Sequence, residues 1–70
     1  MSWNYRLIER DGLISIHEVY YNESGEPRAW TENPVAPFGE TVEDVRECLN
    51  MMIQALGKPV LKESHLESGN

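Results

Sequence analysis

The 70-residue chain carries one cysteine, Cys48, so no disulfide can form within it. It is also short of positive charge: six lysines and arginines stand against twelve aspartates and glutamates, a formal net charge of −6. Such a chain is repelled by phosphate backbones and anionic lipid, so neither DNA binding nor membrane attachment is expected. No apolar run approaches the ~20 residues that cross a bilayer. The opening Met1-Ser2-Trp3-Asn4-Tyr5-Arg6 lacks the apolar core of a secretory leader. The expected compartment is the cytoplasm. His17, Cys48 and His65 do not have the close ligand spacing of a zinc site, so no metal or cofactor is expected. A chain this short is marginal as a lone domain. With disulfide and metal set aside, oligomerisation is the expected remedy, a dimer above all.

What the chain does have is one strong helix signal. From Thr41 to Leu56, Val45, Leu49, Met52 and Leu56 recur at a 3.6-residue period and form one stripe. Val42 and Ile53 flank it on one side, Cys48 and Ala55 on the other, and Glu43, Glu47, Asn50 and Gln54 fill the opposite face. Thr41 is placed to cap the free N–H of Asp44 or its neighbour. Glu40, Glu43 and Asp44 set negative charge at the positive end of the helix dipole. Gly57 is expected to take the left-handed position that closes the helix, with Pro59 blocking its continuation. Cys48, with acidic neighbours and a place beside the stripe, reads as a buried and unreactive thiol.

Upstream the period changes to two. Trp3 to Arg10 and Leu13 to Tyr21 alternate as strands, joined by Asp11-Gly12, the pair that favours a two-residue type I′ hairpin. That turn pairs Arg10 with Leu13, Leu7 with Ile16, Tyr5 with Glu18 and Trp3 with Tyr20. One face then carries Trp3, Tyr5, Leu7, Ile14, Ile16 and Tyr20. The other carries Asn4, Arg6, Arg10, Ser15 and His17, with Ile8, Leu13, Val19 and Tyr21 among them. Asn22-Glu23-Ser24-Gly25 marks a second turn with a glycine bulge. Taken as a three-residue loop, it sets Asn22 against Glu26, Tyr20 against Arg28 and Glu18 against Trp30, so the indole joins the aromatic face. A four-residue loop would slip the register and turn Trp30 outward. Pro27 marks this third strand as irregular and at an edge.

Asn33-Pro34-Val35-Ala36-Pro37-Phe38 is an extended crossover to the helix, with Phe38 expected beneath its first turn. The predicted fold is α+β: a three-stranded antiparallel sheet in β-β-β-α order, one amphipathic helix on one face, and a candidate short fourth strand at 60–61. Residues 1–61 form the single domain and 62–70 a mobile tail.

Two hairpins, a proline-containing crossover and the helix opening Gly39-Glu40-Thr41-x-Glu43-Asp44 resemble the N-terminal domain of HicB-like antitoxins, over about residues 3 to 61. The resemblance implies a β-β-β-α-β core and a regulatory role exercised by binding a protein. The family's DNA-binding segment has no counterpart after Leu61, so DNA binding is not implied.

Candidate sites follow from the face the helix leaves open. Ile8, Leu13, Val19 and Tyr21 would be uncovered there and suit a protein interface. Arg6, Arg10 and His17 form a small positive strip on the same face, suited to an anionic ligand or RNA. His17 has no nucleophile or acid predicted beside it and reads as a surface histidine. Glu18, alone among apolar neighbours, reads as an edge-of-core carboxylate paired with Arg28 or bonded by Tyr5 or Trp30. No catalytic set emerges. The expected function is that of a small non-catalytic protein-interaction or antitoxin-like regulatory module that self-associates; an anion- or RNA-associated module is the alternative.

Overall fold

Asp11 and Gly12 both take positive φ, 52° and 81°, the left-handed pair that lets a two-residue turn follow the twist of its strands. The turn fixes one register, and the computed structural model, which describes residues 2–66, adopts it throughout. Strand β1, Ser2–Arg10, pairs antiparallel with β2, Leu13–Tyr21, with Arg10 opposite Leu13, Leu7 opposite Ile16 and Trp3 opposite Tyr20. The second turn also closes as its residues dictate. The Asn22 side chain accepts from the N–H groups of Ser24 and Glu26, and Asn22 N–H donates to Glu26 O at 2.9 Å. Gly25 sits at φ 81°.

The third strand then departs from the expected register. β3, Pro27–Trp30, sets Pro27 against Tyr21 but Ala29 against Tyr20 and Trp30 against Val19. Arg28 is the extra residue of a bulge. Pro27 has no N–H to give the ladder, so pairing breaks there, and resumes one residue late. A slip of one inverts every side chain beyond it. Trp30 therefore lies on the face of Val19 and His17, not on the aromatic face, and Arg28 does not reach Glu18.

Helix α1 runs Val42–Ile53, with Thr41 Oγ1 accepting from Asp44 N–H at 3.1 Å as its cap. Gly57 does not take the left-handed conformation. The helix instead tightens into a 3-10 turn, Gln54–Gly57, closed by Lys58 N–H on Ala55 O at 3.2 Å. Lys58 must be extended because Pro59 follows it, and the tight turn delivers it so (φ −112°, ψ 156°). The chain then adds β4, Leu61–Lys62, parallel to β1 at Ile8 and Glu9, and a single turn of helix, α2, Glu63–Leu66.

The fold is α+β with a curled sheet in the order β3-β2-β1-β4. The fourth strand makes it a mixed sheet rather than a three-stranded antiparallel one. Lys62 to Leu66, assigned to a tail from the sequence, belong to β4 and α2; residues 67–70 lie outside the described residues.

Under α1 the core is Tyr5, Met52 and Ala55, flanked by Leu7, Ile16, Val35 and Cys48. The small residues Cys48 and Ala55 allow close approach to the Tyr5 ring, so the helix rolls toward that flank of its stripe. Gly39 fits against the start of the helix. A Cβ there would sit on the Asp44 Cβ and within 3.0 Å of the Asp44 and Val45 backbone. Gly39→Ala is expected to cost about 1–3 kcal/mol through forced displacement of the helix start, against about 1 kcal/mol for loss of the cap in Thr41→Ala. Urea denaturation of the two variants checks the order.

Candidate functional site

The open-face expectation fails at its centre. Ile8 and Val19 are 0% exposed and His17 is 1% exposed, without any partner chain. Three things account for this. The sheet curls, the bulge brings Trp30 opposite Val19, and two segments of chain are fastened over the face by its own polar residues. Arg6 donates from Nη2 to Pro59 O at 2.9 Å and from Nη1 to the Tyr21 hydroxyl at 3.1 Å; Tyr21 in turn donates to Asn4 Oδ1 at 2.7 Å. Arg10 donates from Nε to Glu63 at 2.8 Å and from Nη2 to Glu32 O at 2.6 Å. The Glu63 carboxylate beside it raises the Arg10 pKa further above its ordinary value.

His17 is the third fastener, and a buried one rather than a surface histidine. Its Nδ1 lies 2.8 Å from Thr31 O, and a carbonyl can only accept, so Nδ1 carries the proton. Its Nε2 lies 3.0 Å from Ser15 Oγ. Thr31 also gives its N–H to Glu18 O, and Val35 N–H bonds Ile16 O, so residues 31–35 run on along β2 past the end of β3.

Of the four expected interface residues, Ile8 and Val19 are out of reach of a partner and Tyr21 is held between Arg6 and Asn4; Leu13 alone is exposed. Arg6, Arg10 and His17 do share a face, but their donors are turned to the chain itself. Arg6 Nε is a buried N–H without a hydrogen-bond partner.

Glu18 accepts from the Tyr20 hydroxyl, which raises the Tyr20 pKa. It does not line the open concavity of about 500 Å³ at the β2–β3 turn, which is formed by Tyr21, Asn22, Glu23, Ser24 and Arg28. Among the described residues no cluster of three or more His, Cys, Asp or Glu could hold a metal ion. No helix is long and apolar enough to cross a membrane.

The largest feature left over is on α1. Its roll toward Cys48 and Ala55 leaves Leu49 44%, Ile53 60%, Leu56 64% and Val42 76% exposed. At 100° per residue Val42, Leu49 and Ile53 share one side of α1, next to the side that is buried, and at 120° per residue through the 3-10 turn Leu56 falls in line with Ile53. Leu49 and Leu56 were assigned to the core from the sequence. The signal that identifies them differently is the seven-residue spacing 42-49-56: an apolar face carrying both this row and Cys48-Met52-Ala55 is wider than one small sheet can cover. Phe38, expected under the first helical turn, is exposed as well. Comparison of the chain with protein-family models, curated proteins and solved structures finds no match.

Two measurements check this description. His17→Ala would leave the Thr31 carbonyl and the Ser15 hydroxyl unpaired and open a cavity, costing about 2 kcal/mol or more in urea denaturation; a surface histidine would cost under about 0.5 kcal/mol. The Tyr5 pKa is pushed up to about 12, first by the hydrogen bond with Cys48 at 3.5 Å and then by burial. The neutral phenol is thus favoured in the folded state, and its stabilisation is complete below pH 10 and lost as the pH rises through about 12. In ultraviolet titration Cys48→Ala should bring that transition down toward pH 10.

Proposed function

We propose that this chain is a small non-catalytic protein-interaction module, antitoxin-like in its regulatory role, that works by self-association and by contact with a protein partner. The observation that carries the reading is the apolar half of α1 left open beside a filled core. A marginal chain does not gain from exposing Val42, Leu49, Ile53 and Leu56 in water, and covering them is the return that association brings. The element order β-β-β-α-β agrees with the core that the HicB-like resemblance implies, and Gly39 and Thr41, two residues of that motif, are tied to the helix start by close packing and by capping.

The second reading, an anion- or RNA-associated module using Arg6, Arg10 and His17, has one observation in its favour. Neither carboxylate–cation pair of the described residues involves Arg6, so its charge is balanced only by neutral acceptors.

Salt separates the two readings. Copies carrying −6 each repel at low ionic strength, and salt both screens that repulsion and favours apolar burial. Sedimentation equilibrium should therefore show a monomer–dimer equilibrium that tightens between about 50 and 500 mM salt. Binding of an oligonucleotide that weakens with salt and is lost in Arg6→Ala, by a chain that stays monomeric, would favour the second reading instead.

A further inference from the structure

We propose that two copies of this chain pair through α1 in an antiparallel, two-fold contact centred on Leu49. This rests on the self-association reading above and specifies its geometry. Val42 and Leu49 lie two turns apart on α1, and Leu56, in the 3-10 turn that continues it, lies about as far beyond Leu49, so the three form a row about 20 Å long with Leu49 near its midpoint. A two-fold contact uses the same patch twice, so the patch must match itself when reversed. Reversal about Leu49 sets Val42 against Leu56, Leu49 against Leu49, and Ile53 against Val45. Every pair is apolar.

Charge selects the antiparallel arrangement over the parallel one. The start of α1 is acidic, with Glu40, Glu43 and Asp44, and the residue that follows the 3-10 turn is Lys58. Parallel helices would set two acidic first turns side by side. Antiparallel helices set each acidic start beside the partner's Lys58 and the negative end of the partner's helix dipole. The row itself carries no charge, so no ion is stripped of water to form the contact.

The apolar area is that of a reversible contact. From their exposed fractions, the four apolar residues offer on the order of 400 Å² per copy, about 800 Å² over the pair, before the flanking polar side chains add to it. Arg46 and Asn50, at the edge of the row, and Lys58, beyond its end, supply the polar rim.

Cysteine cross-linking in a Cys48→Ser background tests the geometry, with copper–phenanthroline as oxidant and circular dichroism confirming that each variant folds. Leu49→Cys, self-paired at the two-fold, should form a covalent dimer rapidly. Val42→Cys alone should not, whereas an equimolar mixture of Val42→Cys and Leu56→Cys should. Glu47→Cys, on the opposite face, should cross-link at least tenfold more slowly than Leu49→Cys. Leu49→Glu should leave the folded protein monomeric in sedimentation. Rapid self-linking of Val42→Cys would overturn the antiparallel geometry. If the parent chain sediments as a dimer while Leu49→Cys links no faster than Glu47→Cys, this contact is wrong and self-association stands. If the parent chain stays monomeric at millimolar concentration, both fall.

Discussion

A hairpin with apolar side chains on both faces has to be covered twice, and the described residues hold one long helix with which to do it. The constraint begins at Asp11-Gly12. The two-residue turn locks β1 to β2, and the lock puts Tyr5, Leu7 and Ile16 on one side and Ile8 and Val19 on the other. Neither set can move to the opposite face without breaking the ladder. The helix takes the first face. The second is closed by whatever remains: the curl of the sheet, the indole of Trp30, residues 31–35, and the chain from Pro59 to Glu63.

Closing a face with loops requires that their backbone be bonded, since buried carbonyls without partners are costly. This explains why basic residues stand among the apolar ones. Arg6 holds Pro59 O, Arg10 holds Glu32 O and the Glu63 carboxylate, and His17 holds Thr31 O. Seen along the sequence, they form a positive strip that suggests a ligand. Seen in the fold, each one ties a return segment of the same chain to the sheet. A guanidinium suits this use because its planar fork can serve two acceptors at once, as both arginines do.

Where each local rule acts alone, the sequence is legible. The type I′ turn, the full β1–β2 register, the Asn22–Glu26 closure and the Thr41 cap all follow from neighbours a few residues apart. Legibility ends where two rules compete. At Pro27 the glycine-bulge turn and the missing N–H are both satisfied, and the cost is one extra residue, Arg28, that turns Trp30 over. At Gly57 the residue that favours a left-handed close precedes a Lys-Pro pair that needs extended chain, and the second requirement wins. The parallel strand β4 depends on nothing local; it is held by β1, more than fifty residues back. The candidate site was hidden for a related reason. Periodicity identifies an apolar face of a helix, but not how much of that face a given sheet can take.

That last point decides how the exposed row on α1 is to be understood. The sheet face beneath the helix is already occupied by large rings, with Trp3 edge-on to Tyr5 at a centroid separation of 5.2 Å. Over such a floor the small side chains of Cys48 and Ala55 let the chain come close on one flank, with the Tyr5 hydroxyl reaching the Cys48 sulfur and Met52 packed in beside them. Had the helix settled on Leu49 and Leu56, it would have been held away from Tyr5, leaving a void between helix and sheet. The roll that fills the core is therefore the same roll that exposes Val42, Leu49, Ile53 and Leu56. Stability of the single chain and availability of the outer row are one choice, made by the sizes of the residues at 48 and 55. A second copy of the helix is the surface that covers this row without disturbing that choice.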